Sequence, residues 1–237
     1  MRVFFLPMLL FDSLLSVFFP NRCAFCGRYV DEANSTICPS CLAALPRTEQ
    51  ARLRQNSTEM LFRDVPHVLS AAAFLFYDHD STFRHAIHQL KYNERPEVAR
   101  ELACIAAEEF QADEFFAGVD VIMPVPLHPR RFRQRGYNQS EWIARGLSKV
   151  TGIPIDTSHL FRTRNNPKQA LLQSDRRADN VQDIFAVSHP EELYHRHILL
   201  VDDIITTGST IRSYLQTMTA FRGSCSTMWT RVTAKCR

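Results

Sequence analysis

The sequence predicts an α/β protein in which a mostly parallel sheet is flanked by helices and preceded by a small cysteine-containing module. Apolar strand-like runs alternate with amphipathic segments over the C-terminal half of the chain, as they do in parallel sheets. Two Cys-x-x-Cys pairs lie close together near the N-terminus. The length of 237 residues suits one α/β domain with a small appendage and is too short for two equal full-size domains.

Composition and charge indicate a globular protein with a local basic patch. Hydrophobic residues make up 45% of the chain and charged residues 22%, which excludes a disordered tail protein and a fibrous protein. The formal net charge is only +3, but the segment 128–181 contains eleven basic and four acidic residues. This polarity predicts a patch that binds phosphates, free or in nucleic acid, rather than a uniformly basic DNA-coating protein.

Residues 1–20 are strongly apolar and are predicted to form an amphipathic helix that packs on its own protein. Apolar side chains recur there at helical spacing, in Phe11, Leu14, Leu15 and Phe18. Arg2 with the apolar stretch after it also resembles a signal peptide, but Asp12 interrupts the run and no small-x-small cleavage site precedes Cys23. Because no stretch of about 20 uninterrupted apolar residues occurs, we expect no membrane span. We expect a cytoplasmic protein.

The two cysteine pairs are predicted to hold one structural zinc ion through Cys23, Cys26, Cys38 and Cys41. Their spacing, C-x2-C-x11-C-x2-C, lets four thiolates meet tetrahedrally around Zn²⁺, with each pair on a tight turn. A four-cysteine site has no open coordination position, so its metal is structural and not catalytic. A redox pair and buried thiols are the alternatives. The module is therefore interpreted as zinc-ribbon-like.

The chain divides into three parts. Residues 1–46 contain the amphipathic helix and the zinc module, residues 47–67 are polar and predicted to be a connection, and residues 68–237 form the α/β domain. In that domain the patterns predict strands at 68–77, 119–125, 198–201 and 226–233, and helices from Ser81 and over 97–110, 138–150 and 210–221. Asn138 is the predicted N-cap of its helix, with Glu141 at the third helical position.

Two carboxylates lie between a predicted strand and a hydroxyl-rich turn. Asp202 and Asp203 directly follow the apolar run 198–201. Adjacent carboxylates at the end of a strand can accept hydrogen bonds from neighbouring sugar hydroxyls. The residues that open the next helix suit a dianionic phosphate through their backbone N–H groups and hydroxyls. These residues are Thr206, Thr207, Gly208, Ser209 and Thr210. Together the two groups describe a 5-phosphoribosyl site.

This segment has two alternative interpretations. A strand that ends in carboxylates also occurs in P-loop ATPases, but no G-x-x-x-x-G-K-[ST] motif is present in the chain. A simple helix cap formed by the hydroxyl side chains is the second alternative. The combination of a carboxylate pair with five consecutive phosphate-binding residue types favours the phosphoribosyl site.

At these residues the sequence resembles a known family. The string VDDIITTGST (201–210) resembles the 5-phosphoribosyl-1-pyrophosphate (PRPP) signature of type I phosphoribosyltransferases. Nearly the whole chain resembles the ComF family within that superfamily, through the four-cysteine module, Lys91-Tyr92, VIMPVPLHPRRFRQRGYNQS (121–140) and the segment 162–180. The resemblance implies a type I phosphoribosyltransferase fold behind a zinc module, PRPP binding with Mg²⁺, and a cytosolic role in handling incoming single-stranded DNA in naturally competent bacteria.

The resemblance gives a role to the basic segment after the second predicted strand. This segment is similar to the pyrophosphate loop of amidophosphoribosyltransferases, and its cations are Arg130, Arg131, Arg133 and Arg135. Cations and Mg²⁺ on a departing pyrophosphate would stabilise the charge that develops as its bond to C1 breaks. Beside Phe132 and Tyr137 the same cluster also suits a groove for single-stranded nucleic acid. A solvated basic face is the third alternative, and the sequence leaves all three open.

Segment 162–180 resembles the flexible catalytic loop of the superfamily. The resemblance makes Lys168, Gln169, Arg176 and Arg177 candidates for closing over PRPP. Lys91, in the family's lysine-tyrosine segment, is a further candidate for binding a phosphate. A solvent-exposed connection is the alternative for 162–180.

Two functions fit these observations. The first is a PRPP-binding, phosphoribosyltransferase-like protein that acts in natural competence, with single-stranded DNA and other competence proteins as partners. The second is a genuine phosphoribosyltransferase that uses Mg–PRPP as the donor in nucleotide metabolism. Nothing in the sequence identifies the acceptor, and whether the protein is an enzyme stays open.

Overall fold

A parallel sheet forms the centre of the fold. The computed structural model describes residues 21–31, 35–76, 95–163, 185–220 and 229–236. The strands are β1 (Val68–Phe76), β2 (Val121–Pro124), β3 (Leu160–Arg162), β4 (Phe185–Val187), β5 (His197–Val201) and β6 (Trp229–Cys236). The main sheet has the order β1-β6-β5-β2, and its pairings are parallel. β3 and β4 form a separate antiparallel pair. The prediction of a mostly parallel sheet is confirmed.

The helices agree closely with the sequence where it predicted them. They are α1 (Pro39–Ala43), α2 (Ser57–Met60), α3 (Pro96–Gln111), α4 (Pro129–Arg135), α5 (Gln139–Thr151) and α6 (Ser209–Ala220), with short 3-10 helices at Gln50–Arg52 and Pro190–Leu193. The bounds of α3, α5 and α6 lie within one residue of the predicted ones. The predicted helix from Ser81 and the N-terminal amphipathic helix lie outside the described residues. Within the described ranges, no helix is long and apolar enough to cross a membrane.

Helix α5 begins where the sequence predicts, with the predicted N-cap. The side-chain oxygen of Asn138 accepts a hydrogen bond from the backbone N–H of Ser140, so Asn138 is the N-cap. Its Nδ2 donates to the backbone oxygen of Val125 at 3.1 Å, which fixes the start of α5 to the end of β2. Glu141 is the third residue of the helix, as predicted, and its side chain accepts a hydrogen bond from Arg145 at 2.7 Å, one helical turn away.

Strand β5 is buried because helices cover both faces of the sheet. Its apolar residues are at most 1% exposed. Ile198 and Leu200 belong to one apolar cluster with Ile211 of α6. Leu199 and Val201, which alternate with them, belong to another cluster with residues of α3 and α5. This alternation is what a strand buried on both faces requires, since successive side chains point to opposite sides.

Segment 47–67, predicted to be a connection, packs on β1 through buried polar side chains. Asn56 is 7% exposed, and its Nδ2 donates to the backbone oxygen of Ala71 at 2.8 Å. The side-chain oxygen of Gln50 accepts from the hydroxyl of Thr58 at 2.6 Å and from the backbone N–H of Ala73 at 3.0 Å. The segment therefore supplies hydrogen-bond partners to backbone groups of β1, an edge strand of the described sheet.

Candidate functional site

The four predicted zinc ligands converge on one point. The Sγ atoms of Cys23, Cys26, Cys38 and Cys41 all lie within 4.8 Å of one another. The sulfurs of Cys26 and Cys38 are 3.7 Å apart. Four sulfurs bound at about 2.3 Å to a tetrahedral Zn²⁺ are separated by about 3.8 Å, so this spacing fits the metal. The four cysteines form a zinc-binding module.

Nearby polar groups support the thiolate form of Cys23 and Cys26. The backbone N–H of Gly27 donates to the carbonyl of Cys23 at 2.9 Å and closes the first turn, and the N–H of Cys38 donates to the sulfur of Cys23 at 3.3 Å. The Nε of Arg28 donates to the sulfur of Cys26 at 3.3 Å, and this hydrogen bond lowers the pKa of that thiol to about 6. A thiolate is the form that binds zinc, so these contacts favour metal binding.

Helix α3 joins the second cysteine turn to the α/β domain. Glu101 accepts hydrogen bonds from the hydroxyl of Ser35 at 2.7 Å and from the backbone N–H and hydroxyl of Thr36, both at 2.6 Å. Ile37 also shares an apolar cluster with Leu75 of β1. The zinc module is therefore docked on the domain through both polar and apolar contacts.

Asp202 and Asp203 lie at the carboxyl end of β5, where the sequence predicted an acidic pair. The hydroxyl of Ser140, at the start of α5, donates to Oδ1 of Asp202 at 3.2 Å. The backbone N–H of Asp203 donates to the same oxygen at 2.8 Å. Burial, and after it the charge of Asp203, raises the pKa of Asp202 to about 8. A ligand that brings hydroxyl donors or a cation to this pair would offset the cost of its ionisation.

Residues 206–210, named the hydroxyl loop below, lead from the acidic pair into α6. Thr206, Thr207 and Ser209 are exposed, whereas Gly208 is buried. Gly208 has a φ of +71°, and a Cβ at this position would lie 2.9 Å from the ring of Phe62. Only glycine suits both the backbone conformation and the close contact. Since the first N–H groups of a helix have no acceptor within it, the loop offers backbone donors as well as hydroxyls.

A cleft of about 410 Å³ lies at the carboxyl ends of β2 and β5, and of the hydroxyl loop it is lined by Thr210. This edge of a parallel sheet is where α/β proteins bind ligands. Hydrogen-bonding or charged side chains in its lining include Arg131, Arg135, Ser140, Arg162, Asp202 and Asp203. The cleft thus has cationic and acidic groups within one cavity.

The N-terminal module and most of the chain match known proteins. A family model described as a double zinc ribbon domain matches residues 14–52. Competence protein F of Haemophilus influenzae is 36% identical over 93 residues, which cover 39% of this chain and 41% of that protein. DNA utilization protein YhgH of Shigella flexneri is 30% identical over 199 residues, 82% of this chain and 82% of that protein. The chain belongs to the ComF family.

Membership of the ComF family confirms the resemblance found in the sequence, and the ribbon match confirms the zinc-ribbon-like module. Among solved structures, adenine phosphoribosyltransferase from Leishmania donovani is 11% identical to this chain at a TM-score of 0.32, with 62% of this chain and 68% of that chain covered. That likeness is too distant to bear on function.

In this ComF-family protein the predicted basic cluster lies on helix α4. The sequence patterns did not predict this helix. The nitrogen Nδ1 of His128 caps its first turn at 3.1 Å from the backbone nitrogen of Arg130. Four arginines divide over two sides of the helix. Arg131 and Arg135 are partly buried and line the cleft. Arg130 and Arg133 are exposed, and Phe132, which lies between them in the sequence, is 46% exposed.

Arg162 is the first residue of the segment that resembles the catalytic loop, but it ends β3 and lines the cleft, and it was not among the candidates named in that segment. Its Nε is buried and has no hydrogen-bond partner among the described residues. The guanidinium carbon lies 5.6 Å from the centre of the Phe185 ring. Burial, and after it the charge of Arg131, lowers the pKa of Arg162. A desolvated cation beside another cation favours an anionic ligand.

Five candidate residues from the ComF resemblance fall on parts of the chain that the structure does not describe. Lys91, Lys168, Gln169, Arg176 and Arg177 lie outside the described residues, so their roles stay predictions. Conversely, sequence reasoning missed Ser140, whose contact with Asp202 spans 62 positions in the chain. A serine after an N-cap has an ordinary helical context, and only the tertiary fold brings it to the acidic pair.

Proposed function

We propose that this ComF-family protein binds PRPP together with Mg²⁺ in the cleft, and that it acts in the cytoplasm in natural competence, in the handling of incoming single-stranded DNA. The observation that carries the proposal is the meeting of an acidic pair, the start of the hydroxyl-loop helix and three arginines in one cleft of about 410 Å³. PRPP carries the complementary groups, which are two neighbouring ribose hydroxyls, a 5′-phosphate and a pyrophosphate.

The ribose of PRPP is proposed to lie against Asp202 and Asp203. Neighbouring hydroxyls would donate to these carboxylates, and a charge-assisted hydrogen bond contributes about 1.5 to 3 kcal/mol. Carboxylate oxygens are also ligands that Mg²⁺ accepts, usually with substrate phosphates and water completing its shell. Donors or a cation at this position would lower the pKa of Asp202 from about 8, so binding would favour the ionised pair.

The two phosphate groups of PRPP are proposed to lie at different ends of the cleft. The 5′-phosphate would contact the hydroxyl loop, whose exposed hydroxyls and helix N-terminal N–H groups suit a dianion. The pyrophosphate would contact Arg131, Arg135 and Arg162, which line the cleft. This arrangement would give the unpartnered Nε of Arg162 an acceptor.

Genuine phosphoribosyl transfer is the alternative, and the same three arginines favour it. As the bond between C1 and the pyrophosphate oxygen breaks, negative charge grows on the leaving group, and fixed cations stabilise it. Lys168, Arg176 and Arg177 are the residues proposed to complete this site by closing over it. Assays for pyrophosphate release from PRPP, with nucleobases and single-stranded DNA as acceptors, separate an enzyme from a PRPP-binding protein.

The exposed side of α4 is the proposed contact for single-stranded DNA. Arg130 and Arg133 are exposed there and can pair with backbone phosphates, and the exposed ring of Phe132 can stack on a base. Because these residues do not line the cleft, PRPP and DNA could bind at the same time.

Calorimetric titration of Mg–PRPP into the wild type and Arg162→Gln tests the proposal. The wild type should bind, and the loss of a charge-assisted contact should weaken binding roughly 10- to 100-fold. Arg133→Gln is the matched control, since it removes the same charge from the exposed side of α4, and its affinity should equal that of the wild type. Absence of binding by the wild type, or equal losses in both variants, would contradict the proposal.

A further inference from the structure

We infer that residues 61–64, named the clamp below, position the hydroxyl loop for the 5′-phosphate, with Phe62 and Asp64 as positioning residues. The inference rests on the proposed function, because it concerns the phosphate end of the same cleft. The clamp follows α2 in the segment between the zinc module and β1. Asp64 is 148 positions from its partner Arg212 in the sequence, yet the clamp and the loop are in contact.

The first contact is between the ring of Phe62 and Gly208. Phe62 is 1% exposed and lies in one apolar cluster with Ile205 and Ile211, which flank the hydroxyl loop on both sides. A Cβ on Gly208 would lie 2.9 Å from two ring carbons of Phe62 and 3.7 Å from the Cβ of Leu61. The backbone of the loop thus rests directly on the clamp, with no room for a side chain between them.

The second contact is an ion pair between the clamp and the first turn of α6. Arg212 donates through Nη1 to Oδ2 of Asp64 at 2.9 Å and through Nη2 to Oδ1 at 2.6 Å. Nη2 also donates to the backbone oxygen of Leu61. The backbone N–H of Arg212 in turn donates to the carbonyl of Gly208 at 2.8 Å, the first turn of the helix. Arg212 therefore connects the clamp, through its side chain, to Gly208, through its backbone.

The pair stays ionised over the physiological pH range. Arg212 lowers the pKa of Asp64 to about 2, and Asp64 raises the pKa of Arg212. The guanidinium carbon of Arg212 also lies 5.9 Å from the centre of the Phe62 ring, so the two contacts support each other.

The other side of the hydroxyl loop is open. The side chains of Thr206, Thr207 and Ser209 are exposed, and none of them forms a hydrogen bond with another described residue. The clamp therefore contacts the loop on one side, and the hydroxyl groups of the loop that would bind the phosphate remain exposed on the other side. A loop that is ordered before the ligand arrives binds it more tightly, because less conformational entropy is lost on binding.

Asp64→Asn is the variant that tests this inference, since Asp64 is exposed and its replacement leaves the core intact. We expect faster amide hydrogen exchange in residues 206–212 of the ligand-free variant. We also expect roughly tenfold weaker binding of ribose 5-phosphate, with binding of Mg–pyrophosphate unchanged. Asp113→Asn is the matched control, because it breaks another surface Asp–Arg pair, with Arg52, and should behave as the wild type.

Comparing the affinities for ribose 5-phosphate and for Mg–pyrophosphate distinguishes a positioning role from a general effect on stability. A purely structural role would lower the unfolding temperature and affect both fragments equally, which would overturn the inference. Unchanged exchange in residues 206–212, or unchanged ribose 5-phosphate affinity, would also overturn it. If the wild type fails to bind Mg–PRPP, the proposed function falls and takes the inference with it. If the wild type binds and Asp64→Asn binds equally well, only the clamp is refuted.

Discussion

Replacing Asp202 with Asn is expected to stabilise the ligand-free protein at neutral pH, although it removes a group proposed to bind ribose. Burial and the charge of Asp203 raise the pKa of Asp202 to about 8. An aspartate side chain in an unfolded chain has a pKa of about 3.9. Between these pH values the folded protein holds a proton that the unfolded chain has released. The free energy of unfolding therefore falls as the pH rises through this window, and a neutral Asn removes that loss.

The size of the effect follows from the difference in bound protons. A difference of one proton changes the free energy of unfolding by about 1.4 kcal/mol per pH unit. From about pH 6 to about pH 7.5 the wild type loses at most about 2 kcal/mol. Because Asp202 borders an open cleft, where water screens its charge, we expect about 1 kcal/mol. Asn retains the oxygen that accepts from Ser140 and from the N–H of Asp203, so no hydrogen bond is lost.

Urea unfolding at several pH values between about 6 and about 8, with zinc present, measures this effect. Asp202→Asn should show a flatter dependence of the unfolding free energy on pH than the wild type, and a higher value at about pH 7.5. Asp113→Asn removes a surface carboxylate and should keep the wild-type slope. Parallel curves for the wild type and Asp202→Asn, or a less stable variant at neutral pH, would refute the reasoning.

Three further changes test other parts of the molecule. Cys38→Ser should release zinc and destabilise the N-terminal module, and a metal assay that finds equal zinc in both proteins would contradict this. Gly146→Ala should cost about 1 to 3 kcal/mol, since its Cβ would overlap the carbonyl of Arg100 and lie 2.6 Å from the Cβ of Ala103, and an unchanged urea midpoint would refute it. Arg130→Glu with Arg133→Glu should flatten the dependence of log affinity for single-stranded DNA on log salt by about 1.4. PRPP binding by that double variant should not change, and an unchanged salt slope would place the DNA elsewhere.

Features set by local sequence could be predicted. The apolar run of β5 followed by Asp202 and Asp203 gave the strand, its end and the acidic pair, because each depends on neighbours in the chain. Asn138 was found as an N-cap for the same reason. The cysteine spacing likewise predicted a metal site without any tertiary information.

Helix α4 was missed because its residues carry almost no apolar periodicity. A different signal was present, since Pro129 stands at the first helical position and Gly136 ends the helix in the left-handed region with a φ of +79°. Pro129 and Gly136 together indicate a helix, in which Arg131 and Arg135 lie on the same side, one turn apart.

Contacts between distant segments could not be predicted. Arg162 lies on a three-residue strand, too short for a periodic signal, and reaches the cleft only through tertiary packing. Phe62 lies in a polar segment that was interpreted as a connection, and its contact with Gly208 depends on the docking of that segment beside α6. A sequence pattern reports a residue's neighbours in the chain and not its neighbours in space.

Calorimetric titration of Mg–PRPP into the wild type and the double variant Asp202→Asn, Asp203→Asn tests the central claim most directly. The variant should stay folded, because Asn keeps the shape of each side chain. It should lose two charge-assisted hydrogen bonds of about 1.5 to 3 kcal/mol each. Affinity should then fall by roughly two to four powers of ten relative to the wild type. Equal binding by both proteins, or no binding by the wild type, would contradict a PRPP site at these carboxylates.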